Sequence, residues 1–415
     1  MKAYTIVFYM LLILMFNHQT TQRRLIAEWE PTEAVWIQWD KGPYMTSSPI
    51  EESLSELISV ITPHHKVRIL AEQEGLRSNA INLLKKKHID MSKIDFVNAA
   101  AMGAITDPSP VFLETGSGDL TTVDFRWNNY GVRPVGHPKT IDTDTFDIEM
   151  AKKIDLAIID SSELVWEGGA MDHNGRGTIL FSEQWMFQRN PDWTKKQIEE
   201  ELSKKLGVKK VIWLKKGPPE DDFKRKLPGE IYPFGTGGHV DEFCRFVNDS
   251  TVLLSHVTEE ERRKGPIEEE TYQRMEENYA VLKQSVDQDK RPLNVIRVPV
   301  PDLIIKRMAS SEVNPWDAAW FPGYEAKDSI NLALASSYLN FILTDKLVVA
   351  AKYWKPGRPE STLKKDEEVL MLFKQLFPEK GVVQLNPEAF NHQGGGFHCY
   401  SYNEPFKKGK TVNGK

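Results

Sequence analysis

Short strand-like runs alternate with amphipathic helical segments along this chain from residue 25 onward. The strand candidates are residues 35–39, 67–70, 121–125, 211–214, 252–254 and 346–350. Several of them are continuously apolar, as strands buried on both faces of a sheet are. No long low-complexity linker interrupts the alternation. The pattern predicts an α/β architecture in one continuous domain.

Capping residues mark where two of the helices begin. Ser48 stands before a proline and predicts a helix that runs through residue 61. Thr194, with Gln197 three residues later, predicts a second helix, which Gly207 ends. Apolar residues at helical spacing predict two more helices, at 268–285 and 363–377.

The charge balance excludes one class of partner. The 415 residues carry a formal net charge of −6, and the pI is near 6.0. A protein that binds nucleic acid needs a basic excess to neutralise phosphates. We therefore expect no nucleic acid partner.

The first twenty residues differ from the rest of the chain. An apolar run at residues 4–16 follows Lys2 and precedes four polar residues. As a helix the run would rise only about 20 Å, which is short of the roughly 30 Å hydrocarbon core of a membrane. We therefore predict a signal peptide in residues 1–20 and a secreted or periplasmic protein. The alternative is a retained N-terminal anchor through residues 4–16, and only this alternative would bring the protein to a membrane.

One of the two cysteines, Cys399, directly follows the run GGGFH at residues 394–398. Glycines let a substrate and backbone N–H groups approach closely, and a cysteine reacts as its thiolate. The segment therefore predicts a nucleophile. The alternative is an inert cysteine behind a glycine-rich turn. A nucleophilic Cys399 must be reduced, and the sequence leaves open a disulfide between it and Cys244.

A histidine and an aspartate stand two positions apart in the segment GHVD at residues 238–241. We expect this segment on a strand, where the spacing directs His239 and Asp241 to one face. His239 is suited to general acid and base catalysis near neutral pH, and Asp241 to hydrogen bonding with a cationic group. The alternative is a satisfied polar pair at the end of a strand.

Two further carboxylates stand in turns. Glu167 follows an apolar run and precedes a glycine pair, so it either orients His239 or only caps the turn. Asp107 lies in the turn sequence TDPSP, where aspartate is routinely structural. Glycine pairs also stand at 237–238 and 394–396. Turns so far apart in sequence converge on one pocket only if similar α/β modules surround an axis.

Zinc-ligand residue types are present without zinc-ligand spacing. Neither CxxC nor HExxH occurs, and no phosphate loop or GxGxxG turn is found. We therefore expect no metal and no organic cofactor. The residues considered for zinc are His239, Asp241, Cys244, His398 and Cys399.

Taken together, these segments resemble the family of agmatine deiminases and Porphyromonas-type peptidylarginine deiminases, within the guanidine-modifying superfamily. The resemblance covers nearly the whole chain after the leader. The matching segments, in order, are 27–31 (AEWEP), 35–39 (VWIQW), 107–110 (DPSP), 123–131 (VDFRWNNYG), 167–169 (EGG), 175–180 (GRGTIL), 189–191 (RNP), 207–214 (GVKKVIWL), 238–241 (GHVD), 337–341 (SYLNF) and 398–399 (HC).

The resemblance implies a fold and a reaction. The fold is a five-bladed α/β propeller, or pentein, with pseudo-fivefold symmetry and an axial active site in residues 25–406, between the leader and a tail at 407–415. The reaction is hydrolysis of an amidine C–N bond. The implied roles are nucleophile for Cys399, acid and base for His239, guanidinium binding for Asp107 and Asp241, support of His239 for Glu167, and pocket lining for Asn340.

The implied chemistry is physically coherent. A guanidinium is a planar cation whose N–H groups pair bidentately with carboxylates. Its charge also lowers the pKa of a nearby thiol, which favours attack by the thiolate. The substrate would be agmatine or peptidyl-arginine, and the sequence leaves open a homo-oligomer. The alternatives are amidino transfer on the same fold and a non-catalytic guanidine- or polyamine-binding protein.

Three positions and the length of one loop depart from the family pattern. Thr106 and Ser109 replace the arginine and glycine that usually flank the first aspartate, and Ala170 replaces a polar residue after the glycine pair. The final loop is one residue shorter before His398. We expect these changes to alter how the far end of the substrate is held, and they also fit a lineage that kept the fold and lost the activity.

Overall fold

The computed structural model describes residues 23–41, 49–99, 104–132, 144–222, 224–309 and 329–407. The strands in these residues are β1 (Arg23–Leu25), β2 (Thr32–Gln38), β3 (Lys66–Leu70), β4 (Ile94–Val97), β5 (Leu113–Thr115), β6 (Leu120–Arg126), β7 (Ala157–Val165), β8 (Met171–His173), β9 (Thr178–Ser182), β10 (Lys210–Leu214), β11 (Ile231–Phe234), β12 (Cys244–Phe246), β13 (Thr251–His256), β14 (Asn294–Pro299), β15 (Ile305–Ala309), β16 (Ser329–Leu334), β17 (Ile342–Leu343), β18 (Leu347–Ala351), β19 (Gly381–Leu385) and β20 (Ser401–Pro405). The α-helices are α1 (Glu51–Ile61), α2 (Glu74–Lys86), α3 (Phe146–Lys153), α4 (Glu183–Arg189), α5 (Lys195–Leu206), α6 (Pro266–Gln284), α7 (Glu360–Leu376) and α8 (Glu388–Asn391).

Five small sheets share one connection pattern. In each, a first strand pairs antiparallel with a second strand, and the second pairs parallel with a third that the chain reaches through a helix. We call each such set a unit. The units are β5–β6–α3–β7, β8–β9–α4–α5–β10, β12–β13–α6–β14, β17–β18–α7–β19 and β20–β2–α1–β3. Parallel pairing through a helix is the βαβ arrangement, so the protein is a mixed α/β fold, as the sequence predicted.

The two ends of the described chain meet in the last of these units. The C-terminal strand β20 pairs antiparallel with β2, with Tyr402 opposite Trp36. β2 then pairs parallel with β3, and β4 extends the same sheet. The C-terminal strand therefore completes a sheet that the N-terminal part of the chain begins.

The central strands of the units are apolar because helices and neighbouring units cover them. In β18 every residue is buried, and in β9 likewise. The helix α1 turns one apolar stripe inward, with Leu54, Leu57 and Ile58 fully buried against strands β2 and β3. The six predicted strands are all present, four of them to within one residue at each end, while β2 begins three residues before its predicted start and β13 ends two residues after its predicted end.

The helix predictions are also confirmed, with small shifts at the ends. Helix α5 has the predicted capping box between Thr194 and Gln197, and Gly207 ends it in a left-handed conformation with φ of 72°. α1 ends at Ile61 as expected, while Ser48 lies outside the described residues. α6 and α7 begin two and three residues earlier than predicted, directly at or after a proline.

Two predictions fall on parts of the chain outside the described ranges. These are the signal peptide or anchor in residues 1–20 and nearly all of the tail at 407–415. Among the helices that the structure describes, none combines the length and the apolar character required to cross a membrane.

Candidate active site

The five units position the site residues in the same way, because each contributes the segment that leads into its first strand. These segments meet at one end of the units, so residues far apart in sequence become neighbours. The contributions are Asp107 before β5, Glu167 before β8, His239 and Asp241 before β12, Asn340 before β17 and Cys399 before β20. The structure thus places all six predicted site residues in one buried cluster.

The segment with His239 and Asp241 is not a strand, and the expectation of a strand was wrong. Residues Val240–Glu242 form a single 3₁₀ turn, with His239 immediately before it. Gly237 and Gly238 have φ of 94° and 105°, a conformation that side chains disfavour. The turn, and not strand alternation, directs both side chains into the site.

His239 lies between two carboxylates. Its Nε2 is 2.6 Å from Oε2 of Glu167, and its Nδ1 is 3.6 Å from Oδ1 of Asp107. All three side chains are completely buried. Burial by itself disfavours the imidazolium, but the charges of Asp107 and Glu167 outweigh burial and raise the pKa of His239 to about 9. The histidine is therefore protonated at neutral pH.

Glu167 is held by three donors in addition to the histidine. Its carboxylate accepts hydrogen bonds from Nε of Arg189 at 2.7 Å, from Nη2 of Arg189 at 3.3 Å and from Nε1 of Trp185 at 2.7 Å. Burial would raise the pKa of this carboxyl, but the Arg189 guanidinium lowers it. Glu167 is therefore ionised and fixed in position, so it can hold the His239 ring in one orientation.

Asp107 has a different environment. Its Oδ1 accepts the backbone N–H of Gly169 at 2.8 Å, and its Oδ2 accepts the hydroxyl of Tyr130 at 2.8 Å. Burial raises the pKa of Asp107 to about 6, although the nearby His239 charge opposes this shift. Asp107 therefore changes charge close to neutral pH, unlike Glu167.

Cys399 is buried, reduced and surrounded by polar groups from other units. Its Sγ lies 3.5 Å from Oδ2 of Asp241 and 3.0 Å from Nδ2 of Asn340. Burial and the negative charges of Asp241 and Glu242 raise the pKa of the thiol well above its usual value. The thiol is consequently protonated until a cation enters the cluster.

Asn340 bridges Cys399 to the acidic residues. Its Oδ1 accepts the backbone N–H groups of His398 and Cys399, at 2.9 and 3.3 Å. Its Nδ2 donates to Asp241 at 3.0 Å and to Glu242 at 2.8 Å. Both ends of the amide are therefore occupied by the protein itself.

Gly169 makes the close approach of these groups achievable. A Cβ atom at this position would lie 2.8 Å from Nδ1 of His239, 2.9 Å from Oδ2 of Asp241 and 3.0 Å from Oδ1 of Asp107. Real Cβ atoms essentially never have contacts this short. The three polar atoms thus surround a small space that is empty because residue 169 is glycine and has no side chain.

Two buried polar atoms of the site have no hydrogen-bond partner among the described residues. They are Nδ1 of His239 and Oδ1 of Asp241. Buried polar atoms are nearly always satisfied, and an exception commonly marks the place of a ligand. In the imidazolium, Nδ1 of His239 is a hydrogen-bond donor, whereas Oδ1 of Asp241 is an acceptor. Together they suit a ligand that has a cationic N–H group for Asp241 and a nitrogen that accepts a proton from His239.

The zinc-type residues do not form one set. Cys244 packs in an apolar cluster with Leu180 and Leu254, away from Cys399. Ligand atoms of Asp241, Glu242 and Cys399 do lie within 4.8 Å of one another. The Nδ2 atom of Asn340, however, lies 2.8 to 3.0 Å from all three groups and already bridges them.

Several residues that shape the site were not identified from the sequence. Asp221 accepts backbone N–H bonds from Thr236, Gly238 and His239 at 2.5 to 2.8 Å and so fixes the segment that carries the histidine. Its position in an acidic loop run carries no signal of this role. Tyr130, by contrast, stands in the family-like segment 123–131, which contained a usable signal.

The positions that depart from the family pattern have structural contacts. Thr106 donates its hydroxyl to the carbonyl of His398 at 2.6 Å, and its N–H to the carbonyl of Cys399 at 3.1 Å. Ser109 donates to the carbonyl of Ile105 at 2.6 Å, and Ala170 is fully buried. Thr106 therefore attaches the turn of Asp107 to the segment that carries Cys399.

The chain is similar to several known proteins over most of its length. An agmatine deiminase of Pseudomonas aeruginosa is 27% identical over 405 residues, covering 94% of this chain and 99% of that protein. An agmatine deiminase of Medicago truncatula is 28% identical over 396 residues, covering 91% and 95%. The solved structure of the Enterococcus faecalis agmatine deiminase superposes with a TM-score of 0.73 at 22% identity, covering 93% and 96%.

The structural likeness concerns the fold, whereas the family assignment comes from the sequence profile. The profile of the Porphyromonas-type peptidyl-arginine deiminases matches residues 24–405, which include every site residue described above. The chain therefore belongs to the Porphyromonas-type peptidyl-arginine deiminase family.

Proposed function

We propose that this protein is a hydrolase that converts a guanidino group into a ureido group and ammonia, with Cys399 as nucleophile. The observation that carries the proposal is the convergence of a buried thiol, two carboxylates and an imidazolium whose Nδ1 has no hydrogen-bond partner among the described residues. The names of the family and of its relatives support the same reaction class.

The carboxylates bind and orient the substrate. Asp241 has one oxygen without a partner among the described residues, and both oxygens of Asp107 retain a further lone pair. A planar guanidinium between them pairs with both, which offsets their mutual repulsion. The bound cation also compensates the charges of Asp241 and Glu242 that hold Cys399 protonated, so the thiol releases its proton to solution as the substrate binds, and Asp241 stays ionised.

The reaction then takes two steps. The Cys399 thiolate forms a bond to the central guanidinium carbon, and His239 donates its Nδ1 proton to an amino nitrogen, which leaves as ammonia when the C–N bond breaks. In the second step neutral His239 takes a proton from water, the hydroxide adds to the carbon, and the C–S bond breaks. The departing Cys399 sulfur takes up the hydroxyl proton of the product, and the proton released on substrate binding converts ammonia into ammonium. The ureido product and the imidazolium result. No step uses a metal or an organic cofactor.

We assign Asn340 to positioning the thiol in addition to lining the pocket. Its amide contacts the sulfur, the backbone N–H of Cys399 and two carboxyls, so it fixes the nucleophile against the acidic side of the site. Glu167 likewise acts through His239, by holding the ring and its charge.

The substrate class is a guanidine that enters through a narrow cavity. The cavity is lined by Ala104, Tyr130, Phe234 and Gln393 and ends at Asp107 and Cys399. A slender substrate such as agmatine fits this shape, and the relatives are named for it. An arginine side chain of a peptide carries the same reacting group and is the second candidate.

We propose further that the five units close into a ring, as the five blades of a pentein. The support is their common connection pattern and the equivalent position of each site segment. We also propose that residues 1–20 direct export. Expression of the full chain and of a chain starting at residue 21 tests this, since secretion of only the former is expected and equal retention of both would exclude it.

The decisive experiment uses a chain that starts at residue 21. It is incubated with agmatine, free arginine and an arginine-containing peptide, and ammonia and ureido product are both measured. Cys399→Ala is expected to abolish turnover while it retains guanidinium binding. Cys244→Ala is the matched control, because it removes the other buried cysteine from the apolar core and should leave turnover intact. Normal turnover by Cys399→Ala, or none by the unsubstituted protein, overturns the proposal.

A further inference from the structure

Asp241 is connected to a second buried cluster through a single histidine. Nδ1 of His398 lies 2.7 Å from Oδ2 of Asp241, and its Nε2 lies 2.6 Å from Oε1 of Glu28. The imidazole therefore stands between two carboxylates, one in the site and one in the loop between β1 and β2. His398 adjoins Cys399 in the chain, but it has no role in the reaction described above.

This geometry determines the charge of His398. A neutral imidazole has one N–H group and one bare nitrogen, whereas an imidazolium donates from both nitrogens. With carboxylate oxygens at 2.6 and 2.7 Å on both sides, a bare nitrogen would face an oxygen lone pair at hydrogen-bond distance. Only the imidazolium satisfies both contacts, and hydrogen bonds between charged partners are the stronger kind.

The remaining neighbours of His398 support a cation at this position. Glu28 also accepts from Nη2 of Arg245, and Arg245 in turn donates to Asp172, each at 2.5 Å. Glu28 brings a full negative charge to this side and Asp241 brings one from the site, while Asp172, whose pKa burial raises to about 7, is only partly ionised at neutral pH. The positive charges of Arg245 and His398 balance these negative charges. Burial and Arg245 disfavour the imidazolium, yet Glu28 and Asp241 raise the pKa of His398 to about 9.

We propose, on the basis of the proposed function, that His398 is a positioning residue whose imidazolium, held between Asp241 and Glu28, keeps the Asp241 carboxylate charged and aimed at the guanidinium. The need for such a cation follows from the burial of Asp241, which has no exposed surface and lies among other acids. Asp107 has only a more distant cation, since His239 lies 3.6 Å away and is hydrogen-bonded to Glu167, and burial together with the nearby acids raises the pKa of Asp107 to about 6. Asp241 is instead held ionised, with a lowered pKa.

Replacement of the histidine therefore has a pH-dependent effect. Without the cation, the buried Asp241 takes up a proton in the range where Asp107 does, and a protonated carboxyl no longer attracts a guanidinium. The loss of affinity is largest at acid pH and diminishes as rising pH ionises Asp241. A purely structural role for His398 predicts the same loss at every pH.

The test measures agmatine binding to the Cys399→Ala protein by calorimetry from about pH 5 to about pH 9. The added substitution His398→Gln is expected to weaken binding at least about tenfold at the acid end and less than about threefold at the alkaline end. Glu28→Gln, which leaves the histidine in place, should shift binding in the same direction by less. If His398→Gln does not fold, Glu28→Gln alone still tests the proposal.

His173→Gln is the matched control. This half-buried histidine lines the same cavity as Glu28 and His398, but its Nδ1 accepts the N–H of Gly175, and it has no hydrogen bond to Asp241 among the described contacts. It should leave the pH dependence unchanged. If His398→Gln and Glu28→Gln weaken binding equally at all pH values, or not at all, while the unsubstituted protein turns over agmatine, the inference is wrong and the proposed function stands. If the unsubstituted protein turns over no guanidine, both are overturned.

Discussion

Nε2 of His239 lies 2.6 Å from Oε2 of Glu167, and both side chains are inaccessible to solvent. This contact decides how the ring is used. Because Nε2–H donates to Glu167, Nδ1 is the nitrogen that faces Asp107 and the clear space beside Gly169. The proton that His239 exchanges with a substrate must therefore be the one on Nδ1.

The first prediction concerns the pH dependence of kcat/KM for the guanidine that is turned over. Asp107 must be ionised to bind a cation, and its pKa is raised to about 6, so activity is expected to increase as pH rises through about 6. His239 must carry a proton to release ammonia, and its pKa is raised to about 9, so activity should fall above about 9. The profile should be bell-shaped. A flat profile across this range would contradict the assigned roles.

The second prediction is that Glu167→Gln moves the alkaline limb of that profile to lower pH and lowers kcat by about tenfold or more. Removal of the carboxylate charge takes away one cause of the raised pKa of His239. The substitution also leaves buried Arg189 without its ion pair, at a cost of about 3–5 kcal/mol in the free energy of unfolding.

Glu163→Gln is the control for this change. Glu163 pairs with Arg126 on the surface, where its side chain is 74% exposed, and its replacement should alter neither kcat nor the profile. An unchanged alkaline limb in Glu167→Gln would show that Glu167 does not act through His239.

The third prediction compares two glycines. Gly169→Ala should reduce kcat/KM on the order of a hundredfold, because its Cβ occupies the point surrounded by His239, Asp241 and Asp107. Gly75→Ala, in helix α2, meets nothing within 4 Å and should keep full activity. It should also raise the free energy of unfolding by up to about 1 kcal/mol. Steady-state kinetics measure kcat/KM, and thermal unfolding measures the change in stability. Full activity of Gly169→Ala would show that the substrate does not bind beside residue 169.

The fourth prediction concerns the residue that anchors the histidine segment. The Oδ1 atom of Asp221 accepts the backbone N–H of residue 236, and its Oδ2 accepts those of residues 238 and 239, so Asp221→Asn puts an amide NH2 group in place of one of these acceptors. We expect a loss of about 1–3 kcal/mol in the free energy of unfolding, together with a lower kcat as His239 shifts. Asp249→Asn, at a surface pair with Arg176, is the control and should change neither quantity. Normal kcat in Asp221→Asn would mean that the segment holds its position without this carboxylate.

Local signals explain why most elements could be predicted. Thr194, Gln197 and Gly207 mark the ends of α5 through contacts within a few residues, and these contacts form as expected. The continuously apolar runs became buried strands because burial on both faces requires them. The segment with His239 was assigned wrongly because glycines at 237 and 238 with positive φ, together with Asp221, favour a 3₁₀ turn over a strand.

The amino-acid sequence by itself determined the α/β alternation, the helix ends and the residue types capable of guanidinium chemistry, because these depend on short-range spacing and side-chain chemistry. Only the tertiary structure decided which groups meet. It brought Glu28, far along the chain from His398, to the opposite nitrogen of the ring that contacts Asp241, and it placed Cys244 in the apolar core. Such pairings join residues hundreds of positions apart. They form only when the sheets assemble, and the spacing of residues within a short segment does not determine them.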